Sequence, residues 1–68
     1  MLSTITFLSA KDIQFLQPYR SLKWAELQLR KAKAIVRTRH LTIGHLADFW
    51  GVEPEDLITQ LKPRFGVN

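Results

Sequence analysis

The run Gly51-Val52-Glu53-Pro54 separates two short stretches that each carry a helical pattern of apolar residues. It constrains this chain more than any other feature. Upstream, Ile43, Leu46, Ala47 and Trp50 fall at i, i+3, i+4 and i+7, one face of a helix. Thr42 is placed to cap that helix, because its hydroxyl can accept from a first-turn N–H. Gly51 suits the residue just past the end, where a left-handed backbone costs glycine little. Pro54 suits the first turn of a following helix, whose buried side would be Leu57, Ile58 and Leu61 and which Pro63 would close. Two short helices, a turn of about four residues opening on glycine, and a small alanine before it meet the requirements of a helix-turn-helix. Ala47 has to be small because the second helix crosses close above it. Val52 and Leu57 are expected to fill the angle between the helices. An ordinary helical hairpin in a small bundle is the plainer alternative.

The first half of the chain carries two more helical signals. Ser9 is placed as an N-cap, with Asp12 completing a variant capping box and Leu8 and Ile13 set as a hydrophobic staple. That predicts a helix over residues 10–16, ended by the disfavoured helical geometry of Gln17 before Pro18. A second helix is predicted from Pro18 or Ser21 to Arg37, with Leu22, Ala25, Leu29, Ala32 and Val36 as its apolar stripe. Trp24 and Ile35 flank the stripe and are expected to pack as well, and Phe65 and Val67 to pack the tail down. Residues 1–8 are apolar and β-branched but short, and an arm, an edge strand or a dimer contact all fit them. The expectation is one all-α domain over residues 1–68, built on a helix-turn-helix with about four short helices.

With 68 residues, the chain buries only about 60% of its unfolded surface. It has no cysteine, so neither a disulfide nor a thiolate metal site can reinforce the core. A homodimer is therefore among the expectations. No stretch reaches the roughly 18 apolar residues of a membrane helix, and the first ten residues lack the basic leader of a signal peptide. A cytoplasmic protein without membrane attachment is expected.

The net charge of +4 hides a strong asymmetry. Arg30, Lys31, Lys33, Arg37 and Arg39 give residues 30–40 a charge of +5 with no acid. Asp48, Glu53, Glu55 and Asp56 give residues 41–61 a charge of −4 with no base. A basic block of this kind favours a polyanion, and the acidic block limits where that partner can sit.

Residues 30–68 resemble the second helix-turn-helix of AraC/XylS-type transcriptional regulators. The matching residues are Ala32, Ile35, Val36, Leu41, Thr42, Ile43, Leu46, Ala47, Gly51, Val52, Leu61, Lys62, Phe65, Gly66 and Val67. Residues 21–36 are similar to the linker helix between that family's two motifs, so the resemblance takes in residues 21–67. It implies a small protein that binds DNA and regulates transcription.

In most helix-turn-helix proteins the second helix meets base edges through its N-terminal residues. Here Glu53, Glu55 and Asp56 occupy that end, where they would repel phosphates but complement the helix dipole. Candidate nucleic-acid contacts are therefore Lys23, Arg30, Lys33 and Arg37, which share a face of the long second helix with Glu26, together with Lys31, Arg39 and His40 beside them. His45, Thr59, Gln60, Lys62 and Arg64 complete the set. A merely solvated charged face is the competing reading. If the acids instead form a docking surface, Glu53, Glu55 and Asp56 would engage another regulatory protein. Duplex DNA is the first expected partner, such a protein the second, and RNA or the ribosome the third. No serine has a histidine–acid pair near it, no glycine-rich phosphate loop occurs, and His40 and His45 are wrongly spaced for metal. The chain is expected to be no enzyme and to use no cofactor.

Overall fold

Two hydroxyl groups set where two of the helices begin. Ser21 Oγ accepts from Trp24 N–H at 3.1 Å and Thr42 Oγ1 from His45 N–H at 3.2 Å. The computed structural model describes residues 2–66. It contains α1 (Ala10–Leu16), α2 (Leu22–Val36), α3 (Ile43–Trp50) and α4 (Pro54–Leu61). Gly51 takes the left-handed conformation at the end of α3 (φ 70°, ψ 35°), and Pro54 opens α4. The fold is the expected all-α arrangement of four short helices, with α3, the turn and α4 as its helix-turn-helix.

The helices form a closed ring. α1 packs on α2 and α4, and α3 packs on α2 and α4, while the backbones of the diagonal pairs stay further apart. α2 enters the ring through Ala25 and Ala32, both fully buried, whose small side chains let the neighbouring helices approach. Ile13, Leu16, Ile43, Leu46, Ala47, Leu57 and Leu61 fill the centre, joined by Leu8 and Leu41 from outside the helices.

Four expected core residues lie nearer the surface. Leu22 sits in the first turn of α2 at the edge of the ring and is exposed. Ile35 is 66% exposed, because it stands about 100° round the helix from Val36, which packs against the core. Val52 is 42% exposed: its N–H is tied to Ala47 O at 2.9 Å across the end of α3, and its side chain borders an open depression between Trp50 and Leu57. Phe65 is 39% exposed, since the chain continues to turn after α4, with Phe65 N–H on Leu61 O. Val67 lies outside the described residues.

The N-terminal segment is neither a free arm nor a sheet strand. Phe7 makes one antiparallel bridge with Thr42. Leu8 N–H donates to Leu41 O at 2.7 Å, Ile43 N–H to Thr6 O at 3.0 Å and Gly44 N–H to Thr4 O at 2.9 Å. A helix leaves its first four N–H groups without internal partners. At α3 all four are satisfied: Ile43 and Gly44 N–H by this segment, His45 N–H by the Thr42 hydroxyl and Thr42 N–H by His45 Nδ1. Gly44 permits the close approach, because a Cβ there would stand 3.2 Å from Thr4 O.

Asp12 is the one buried charged residue among the described residues. Its Oδ2 accepts from Ser9 N–H at 2.7 Å and from the Ser9 hydroxyl at 3.0 Å, closing the start of α1. Its Oδ1 accepts from Arg64 Nε at 2.6 Å, linking α1 to the segment after α4. Asp12→Ala removes both the cap and the ion pair. A loss of about 2 kcal/mol is expected in chemical denaturation. Arg64→Ala should cost less, since water reaches that side chain, and a double-mutant cycle should show the two to be coupled. Independent, additive losses would refute the pairing.

Candidate nucleic-acid interface

Because α2 docks through Ala25 and Ala32, the side turned away from them is open to solvent. Lys23, Leu27, Arg30 and Ala34 line it at steps of three and four, with Lys31 at its flank, and all five are exposed. Arg37 and Arg39 continue the basic surface beyond the helix and are exposed too, whereas Lys33 is half-buried at the margin. From Lys23 to Arg37 the surface runs for about 21 Å along the axis. Glu26 stands on the same side, exposed and bordering one surface depression with Lys23 and Arg30, but Arg64–Asp12 is the one ion pair among the described residues, so no base of this face is held in one.

The end of α2 has an unusual backbone. Arg37 is left-handed (φ 56°, ψ 55°), the one non-glycine residue with positive φ among the described residues. Arg37 N–H and Thr38 N–H both bond Lys33 O, a tight helix ending that usually carries glycine. An arginine there costs about 1 kcal/mol against the backbone's preference. Beyond it, Thr38 Oγ1 donates to His40 O at 3.1 Å and accepts from His40 N–H at 3.4 Å, which fixes the corner between α2 and α3. The His40 ring lies against Phe7, with centroids 5.2 Å apart and planes tilted by 38°.

Other predicted site residues are placed elsewhere. Arg64 Nε is held by Asp12, because a buried carboxylate needs a partner, so this exposed arginine serves in a structural ion pair and lies beside Lys11 and Gln14 of α1, not with the basic face of α2. His45 does not face outward with a free ring: it is half-buried, and its Nδ1 accepts from Thr42 N–H at 3.2 Å in a reciprocal cap of α3. Thr59 and Gln60 are exposed and Lys62 is half-buried, but all three belong to α4 and its end, which does not pack on α2. The structure thus does not gather them with the basic face.

Glu53, Glu55 and Asp56 are exposed at the start of α4 and unpaired, as is Asp48 at the end of α3. Asp56 borders a shallow depression of about 140 Å³ with Leu16, Gln17, Trp50, Val52 and Gln60. A second depression, about 330 Å³, continues from Gln17, Trp50 and Val52 to Trp24 and Arg20, whose guanidinium lies 5.2 Å over the Trp24 ring. Trp24 and Trp50 are half-buried, as edge residues of the core.

Sequence reasoning missed Phe7. Its one signal was an aromatic ring in an otherwise β-branched run, and its pairing with His40 joins residues 33 positions apart. Comparison with protein-family models, curated proteins and solved structures finds no match to this chain.

Arg37→Gly separates backbone preference from side-chain role. It is expected to raise stability by about 0.5 kcal/mol, or ~2–4 °C in Tm. A fall in Tm by circular dichroism would show instead that the Arg37 side chain supports the fold.

Proposed function

We propose that this is a small helix-turn-helix DNA-binding protein that regulates transcription, and that it holds the phosphate backbone through α2 and its C-terminal corner. The observation that carries this reading is the basic face itself. Lys23, Arg30, Lys31, Arg37 and Arg39 are exposed together and no carboxylate pairs with them. The start of α4, by contrast, presents three unpaired acids where phosphates would lie. On this reading α4 is not the element inserted at base edges.

Each phosphate neutralised by a lysine or arginine releases counterions, so affinity falls with salt at about 0.9 log units per contact. Four or five contacts predict a slope of roughly −4 for a labelled duplex titrated between about 50 and 200 mM salt. The pair Arg30→Gln and Lys31→Gln should reduce that slope by about 2 and weaken all sequences alike. Glu55→Gln with Asp56→Asn should leave affinity intact or raise it. No duplex binding at the low-salt end, or an unchanged slope in the basic-face variant, would reject the proposal.

A second reading is favoured by the acids beside the Trp50 depression. There the chain would dock on another regulator through a basic, apolar segment of that partner. Its mark would be a complex lost on Glu55→Lys with Asp56→Lys while binding to duplex DNA persists.

A further inference from the structure

We infer that the corner where α2 meets α3 also holds an unpaired nucleobase, with Phe7 and His40 as its stacking platform and Arg37 and Arg39 on the adjoining phosphates. This rests on the reading of the basic face as a nucleic-acid surface and extends it to single strands. Phe7 is 63% exposed, although it stands in a segment whose backbone is pinned to the start of α3 on both sides of it. Thr6 O accepts from Ile43 N–H and Leu8 N–H donates to Leu41 O, so the ring is carried on a fixed support. The Thr38 hydroxyl holds the His40 backbone in the same way. The result is two exposed, tilted rings, preset before any ligand arrives, directly beside Arg39 in the chain.

A flat ring of this kind suits a base that has left its duplex. Paired bases are stacked on one another and offer only their edges, whereas an unpaired base offers a face. Exposed aromatics set among bases are how proteins hold single strands with little sequence preference. The segments that build this corner, residues 2–11 and 27–47, contain no acid at all. Two copies of the chain meeting there would bring like charges together, which disfavours self-association as the purpose of Phe7.

The test is fluorescence anisotropy at one low salt concentration with labelled oligothymidine, oligouridine and a duplex, each of about 15 nucleotides or base pairs. The wild-type chain should bind the single strands, and the thymidine and uridine arms report which sugar it takes; binding of either supports the platform. Phe7→Ala should weaken single-strand binding by roughly tenfold and leave duplex binding within about twofold. Phe7→Trp should restore it. Phe7→Leu keeps an apolar side chain without the aromatic face and should fail to, which answers the question even if the alanine variant unfolds. Equal losses on duplex and single strand, or full binding by Phe7→Leu, would overturn the platform while leaving the basic face standing. Failure of the wild-type chain to bind any of the three probes would overturn both.

Discussion

The ring of helices closes where α1 meets α4, and the Asp12 carboxylate sits in that seam. A buried charge is tolerated only when its hydrogen-bonding capacity is used. Asp12 meets this condition with two donors from Ser9 and one from Arg64, 52 residues away. The local half of the arrangement starts α1, and the distant half fixes where the chain goes after α4. One side chain therefore couples a helix cap to the closure of the whole ring.

The N-terminal segment has a comparable effect on the other side of the ring. A free helix start attracts anions because its first N–H groups point outward unpaired. At α3 those groups are already bonded to Thr4, Thr6, Thr42 and His45. In the proposed binding mode, attraction for phosphates comes from side chains on α2 and not from the backbone of the helix-turn-helix. The same docking sets Phe7 against His40, so the segment that closes one kind of site builds the support for another.

The helix boundaries were legible in the sequence because their signals are local. Ser9, Thr42, Gly51 and Pro54 act within one turn of their own positions, and the structure uses each as the pattern implied. Ala25 and Ala32 were legible as members of a buried stripe, and Ala47 as a close-packing point, for the same reason: the stripe to which each belongs is read from spacing alone. Ile35 and Val52 were misplaced because periodicity gives a face and not the width of its cover. Arg64 and His45 looked like free surface contacts since nothing nearby in sequence claims them; Asp12 engages one from a distance, and reciprocal capping at Thr42 engages the other. The place of Phe7 depended on which residues the N-terminal segment pairs with, and a short β-branched run leaves that open.

The geometry of α3 against α2 turns the sequence's charge asymmetry into a direction in space. Trp50, at the end of α3, and Trp24, near the start of α2, border the same depression. The acids that follow Trp50 therefore belong to the end of the molecule where α2 begins, and the bases from Arg30 to Arg39 run towards the opposite end. In the proposed binding mode this separation, which Arg20 beside Trp24 moderates at the acidic end, would favour approach of a polyanion from the end where Arg37 and Arg39 lie. Of the candidate cations, Lys23 lies nearest the acidic end. Arg37 and Arg39 lie at the basic one, beside the fixed rings of Phe7 and His40. The left-handed arginine, the acid-free corner and the exposed phenylalanine thus lie together at the end to which the proposed binding mode assigns the phosphates.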